Sequence, residues 1–184
     1  PTFQWIELTR FRPKNHCNLR LAPEVVRAET YLALAGGARG IMYFQQGLDK
    51  QDQWQRFAVA PEIVESVAKT NSELKTLKPL LLSPIIPVSS ERDDPIKIGA
   101  RDYNGQNWLI AVNATKDRAD WSRDFGGYQL NDSFGPYEVK ILALPPGINM
   151  ANNAPPAPAE STGAYPIATV EQQLQSSRFR EVLL

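Results

Sequence analysis

Residues 29–47, ETYLALAGGARGIMYFQQG, constrain the fold of this chain more than any other stretch. Tyr31, Leu32, Leu34 and Ala35 place apolar side chains at spacings that suit a helix packed on a sheet. Gly36 and Gly37 follow where a helix stops and a left-handed residue is needed. Residues 38–44 then form a run with Ile41, Met42, Tyr43 and Phe44, near-continuous rather than alternating. A strand covered on both faces has that pattern. Helix, glycine turn and buried strand make half of a βαβ unit, and in such folds function gathers where strands end.

The flanking residues extend the pattern. Residues 2–8 (TFQWIEL) read as a strand and residues 9–21 as a polar loop. Pro23 and Glu24 suit a helix N-terminus, so a helix is expected from there to about Ala35. A strand over 39–45 follows. Residues 46–60 read as a polar loop holding Trp54 and Phe57. Pro61 opens a second helix with Ile63, Val64, Val67, Leu74 and Leu77 on its apolar face. It is expected to end near Lys78, where Pro79 and Pro84 mark a boundary.

Beyond that boundary the period changes. Strand-like runs are expected at 85–88, 96–102, 108–113, 119–125 and 138–144. Asn104-Gly105 is a two-residue hairpin signal. The expected class is therefore α/β plus all-β. An α/β segment covers 1–83, a small antiparallel β-sandwich covers 84–145, and a Pro/Ala-rich linker and tail covers 146–184.

Composition removes several classes of function. Twenty basic and twenty acidic residues cancel, with no Lys/Arg cluster to bind nucleic acid. The apolar runs are far too short to span a bilayer as a helix. One cysteine, Cys17, rules out an internal disulfide framework and a multi-cysteine zinc site. His16 is the one histidine and sits beside it, where adjacent side chains seldom meet as a catalytic pair. No metal or cofactor is implied. The chain opens on Pro1 directly in a strand-like run, so a truncated or processed product is expected.

Several motifs carry a resemblance. They are R-x-x-P-E (Arg20 to Glu24), Y-x-A-L-x-x-G-A-R-G-I-x-Y-F (Tyr31 to Phe44) and E-L-K-x-L-K-P-L-L (Glu73 to Leu81). Downstream stand N-W-L-I-A-V-N-A-T (Asn107 to Thr115) and D-S-F-G-P-Y-E-V-K-I (Asp132 to Ile141), the latter read as a last strand. Together they resemble the C-terminal end of (β/α)8-barrel glycoside hydrolases that carry an appended β-sandwich. The resemblance implies a partial barrel, its last two βα units, with the N-terminal part of the barrel as missing partner. It also implies a carbohydrate substrate and a secreted or periplasmic location. The acid/base carboxylate of the fourth strand would lie upstream, so this piece alone is expected to be inactive.

The same resemblance points to site residues. Glu7 lies at the end of the first strand, where such barrels place a nucleophilic carboxylate; the alternative is an ion pair with Arg10 or Arg12. Gln45 and Gln46 leave the second strand, and their amides can bond sugar hydroxyls. Trp54 can stack on a sugar ring; Tyr43 can too, but it lies within the strand and reads as core. Arg20 can fix a neighbouring carboxylate by a bidentate pair. A competing reading is a non-catalytic carbohydrate-binding or structural protein on the same architecture. Asn113-Ala-Thr115 and Asn131-Asp-Ser133 match the N-glycosylation pattern, one that arises often by chance.

Overall fold

Two parallel strands joined through a helix open the chain, and an antiparallel sheet follows. The computed structural model describes residues 2–8, 21–48, 54–56, 59–88, 90–148 and 150, all within the unit Pro1–Ala154. Strand β1 (Phe3–Glu7) pairs in parallel with β2 (Gly40–Phe44), Phe3 opposite Gly40 and Glu7 opposite Phe44. Helix α1 (Pro23–Ala35) connects them. Pro23 stands in its first turn, and Glu24 places a carboxylate beside the N-terminal amides. At its other end Ala38 N donates to Ala33 O and Gly37 N to Leu34 O, with Gly37 at φ +96°. That is a Schellman stop, and a side chain at Gly37 would be strained.

Where a polar loop is expected after β2, the structure has a short hairpin, β3 (Gln46–Leu48) with β4 (Trp54–Arg56). Helix α2 (Pro61–Leu81) runs a turn past its expected end. Pro79 lies inside it and removes only the bond to the Lys75 carbonyl, on the exposed side. The buried Leu80 and Leu81 hold that last turn against the core. Arg27 Nε and Tyr31 Oη both donate to Glu73 Oε2, at 2.9 and 3.2 Å, and tie α1 to α2.

Strands β5 (Ile85–Ile86), β6 (Ile96–Tyr103), β7 (Gln106–Asn113) and β10 (Val139–Ala143) form one antiparallel sheet, ordered β10-β7-β6-β5. The β6–β7 turn is the Asn104-Gly105 pair, with φ of 55° and 73°, the positive pair that a type I′ turn requires. Strands β8 (Ala119–Phe125) and β9 (Tyr128–Phe134) form a separate hairpin. The stretch from Asp132 to Ile141, expected as one strand, divides: Phe134 ends β9, and β10 begins only at Val139. Glu138 Oε2 accepts from Gly135 N across the intervening turn.

Both faces of the four-stranded sheet are covered. Ile96, Ile98, Ala100, Leu109 and Ala111 pack with Trp121, Phe125 and Phe134 of the β8–β9 hairpin. Ile110, Val112 and Val139 pack with Ala28, Tyr31 and Leu34 of α1 and with Leu81. The helices and the sheet thus share a hydrophobic core across Pro84. Trp121 belongs to this interior, and its indole N–H donates to Asp94 Oδ2 at 3.2 Å. Trp108 is half-buried. Asn113 is fully buried, with Nδ2 donating to Asp117 O and Gly135 O, so its glycosylation pattern has no accessible amide. The described strands close no barrel, and no described helix is long and apolar enough to cross a membrane.

Candidate functional site

The two faces of the parallel pair differ sharply. Alternation along β1 sends Ile6 one way and Phe3, Trp5 and Glu7 the other. Ile6 is buried against Val26 of α1 and Ile63 of α2, with Tyr43 from β2 on the same side. Tyr43 is accordingly part of the helix layer, and its hydroxyl donates to Asn71 Oδ1 at 3.2 Å. A role stacking on sugar at the far face does not fit that position.

The opposite face is apolar and open. Phe3 is 60% exposed and Trp5 57%. The Phe3 ring lies over Gly40, where an added Cβ would come within 2.3 Å of it. Trp5 meets Phe44 edge to face at 5.9 Å between ring centroids. Isolated parallel pairs are not found with a bare face, because such sheets are normally covered on both sides.

Glu7 ends β1 on this face. The next residue, Leu8, donates its N–H to Phe44 O at 2.8 Å, so the strand exit is held in register. Glu7 is half-buried, and its Oε1 is shielded from solvent with no hydrogen-bond partner among the described residues. Burial pushes its carboxyl above the ordinary glutamate range, and the charge of Glu29 pushes it further. Burial raises the Glu29 carboxyl too. An acid whose pKa is raised by folding binds protons more tightly in the folded state. Its contribution to stability therefore falls as pH climbs from the unfolded value through the folded one. A half-buried carboxyl at a strand end, with a proton held more tightly than usual, is equipped for proton transfer.

Gln45 follows β2 directly and is half-buried, within one residue of the Glu7 partner Phe44. Gln46 and Trp54 fall in the β3–β4 hairpin, Gln46 opposite Arg56 and Trp54 opposite Leu48. The backbone of both is placed; their side chains lie outside the description. Arg20 lies outside the described residues, as do Arg10, Arg12, His16 and Cys17. The structure thus brings Glu7 and Gln45 to one end of the parallel pair. One contributor to the surroundings of Glu7 was missed from sequence: Glu29 sits on a helix face with no motif around it. Among the described residues no group of three or more His, Cys, Asp or Glu side chains can hold a metal ion.

No protein-family model matches the chain, and no curated protein does. Among solved structures the chain is similar to the alpha-amylase from Geobacillus thermoleovorans, whose structure was determined in complex with acarbose. The identity is 16% and the TM-score 0.45, over 78% of this chain and 36% of that one. The chain spans about a third of that enzyme's length, and so distant a likeness assigns no chemistry.

Proposed function

We propose that this chain is the C-terminal part of a glycoside hydrolase-like protein, with β1 and β2 as the last two strands of a (β/α)8 barrel. The observation that carries the reading is Glu7, a half-buried carboxyl at the exit of a parallel strand, whose Oε1 has no hydrogen-bond partner among the described residues and whose pKa is raised. Glycoside cleavage needs two carboxyl groups flanking one bond: one gives its proton to the leaving oxygen, and the other, ionised, attacks the anomeric carbon or activates a water. Glu7 supplies one. The second belongs to a strand of the barrel that this chain does not contain.

In this reading Gln45 and Gln46 bond sugar hydroxyls at the rim, Trp54 stacks on a sugar face, and Arg20 orients a carboxylate. The motifs from Tyr31 to Phe44 and from Glu73 to Leu81 support the barrel. The bare face with Phe3 and Trp5 supports further strands packing there.

The test is Glu7→Gln in the full-length protein, assayed on a panel of aryl glycosides and, in parallel, for glycan binding by calorimetry. Removing either of the two carboxyl groups is expected to cost about a hundredfold or more in turnover, with binding retained. Unchanged turnover removes Glu7 from the chemistry; no turnover by either form, with binding intact, sinks the hydrolase reading and favours a non-catalytic carbohydrate binder.

A further inference from the structure

Where α1 stops and β2 starts, a groove of about 410 Å³ opens against the C-terminal half of α2. Gly40, in its wall, begins β2, whereas the Glu7 partner Phe44 ends that strand. The groove is therefore apart from the candidate site. Leu34, Ile41 and Leu74 give it an aliphatic surface, and its charged residues are all cations: Arg39, Lys75 and Lys78. Lys75 and Lys78 are exposed and stand three apart, on one face of α2. Arg39 Nη1 donates to Leu81 O and Ser83 O, both at 3.2 Å, and its Nε and Nη2 have no partner among the described residues. The fully buried Arg101 does not line the groove, but its Nε donates to the same Leu81 O at 3.4 Å. Two guanidinium groups thus meet on one carbonyl oxygen, and the charge of Arg39 helps to lower that of Arg101. None of these four cations has an ion pair among the described residues. Charges at or near an interior are ordinarily paired, and helix-end carbonyls supply only partial negative charge.

We infer that this groove binds a small single-chain aliphatic anion, its tail on Leu34, Ile41 and Leu74 and its oxyanion head among Arg39, Lys75 and Lys78. The volume lies in the range of small-molecule sites. At about 30 Å³ per heavy atom, the share a water takes, it has room for roughly a dozen heavy atoms. That is one short chain with one head, not a two-chain membrane lipid. A bare inorganic anion would leave the aliphatic surface wet, and a neutral chain would leave the cations unmatched. Only a ligand with both parts answers both halves of the lining. The inference owes nothing to the barrel reading or to hydrolysis at Glu7.

The probe is decanoate, titrated calorimetrically into the full-length protein below its micelle-forming concentration. Acetate supplies the head without the tail, and decyltrimethylammonium the tail with the opposite charge. Decanoate is expected to bind saturably, one per chain, and about a hundredfold or more tightly than acetate, because the tail leaves water. It is expected to bind about tenfold or more tightly than decyltrimethylammonium at low salt, with the gap shrinking as salt rises. Lys75→Gln with Lys78→Gln is expected to weaken decanoate about tenfold. Both lysines are exposed, so an unchanged Tm is expected to accompany that loss. No saturable binding of decanoate overturns the inference. Acetate bound as tightly as decanoate removes the tail, and decyltrimethylammonium bound as tightly removes the charge; either overturns it. Decanoate bound equally by the double variant places the ligand elsewhere and overturns the groove.

Discussion

Gly99→Ala is expected to destabilise the chain by about 3 kcal/mol or more, because the space for one methyl group is already occupied by backbone. Strand β6 passes under the C-terminus of α1 at this residue. A Cβ there would lie 2.2 Å from the Ala35 carbonyl oxygen, 2.6 Å from its Cα and 2.7 Å from its carbonyl carbon. None of these atoms can swing away as a side chain would. The Schellman turn at Gly36-Gly37 fixes that end of the helix, so the helix can yield only by lifting off the sheet. Lifting it would strip Ile110 and Val112 of their cover from Tyr31 and Leu34. Gly105→Ala is the control: nothing lies within 4 Å of its Cβ position, but φ is +73°. It is expected to cost only the backbone penalty, about 1 kcal/mol. Urea unfolding compares the two. Equal losses, or a Gly99→Ala variant within about 1 kcal/mol of the parent, contradict the close packing of α1 on β6.

Arg101→Ala is the second large effect, expected at about 3 kcal/mol, or a fall in Tm of roughly 6–12 °C for a chain of this size. Arg101 is the largest fully buried side chain among the described residues, on the helix-facing side of β6. Its guanidinium donates to Leu34 O near the end of α1, to Leu81 O at the end of α2 (3.4 Å) and to Ala100 O (2.9 Å). Helix C-termini carry partial negative charge and unpaired carbonyls, and one planar cation serves both. Burial, with a smaller push from Arg39, lowers the guanidinium to about 10, which leaves it charged at neutral pH. Leu34 O also accepts from Gly37 N, and Leu81 O from Arg39 Nη1, so neither carbonyl is wholly orphaned by the change. The loss is therefore largely cavity and charge–carbonyl attraction. Arg101→Met separates the two: it refills the stem and is expected to recover about half of the loss. A methionine variant as stable as the parent would reduce the guanidinium to a space filler.

These two residues show where sequence reasoning stops. Arg101 sits in an alternating strand at a position that reads as solvent-facing, and only the arrival of two helix ends makes it interior. Gly99 reads as a weak strand residue until α1 is laid across it. The bounds of α1 were legible because Pro23 and the Gly36-Gly37 pair are local signals. The β6–β7 turn was legible for the same reason, through Asn104-Gly105. Strand β9 was not, because Asn131 and Asp132 interrupt its pattern with residues that favour turns. The β3–β4 hairpin was missed because three-residue strands such as QGL and WQR show no period. Pro79 misled because proline near a helix end usually closes it, whereas two buried leucines follow it here.

At the site, Glu7 was legible from its place at a strand end. Its state was not. The rise in its pKa depends on burial and on Glu29, which is 22 positions away along the chain and close only because α1 folds back on β1.

The state of Glu7 is also where the two readings of this residue part. An ion pair with Arg10 or Arg12 stabilises the carboxylate and lowers its pKa. Burial, with the charge of a second acid added, raises the pKa. Titration of the Glu7 side-chain carboxyl carbon by ¹³C NMR in the folded chain decides between them. The predicted midpoint lies above the reference value of 4.5, moving down in the Glu29→Gln variant. A midpoint below 4.5, moving up when Arg10 and Arg12 are both replaced by glutamine, would contradict the account.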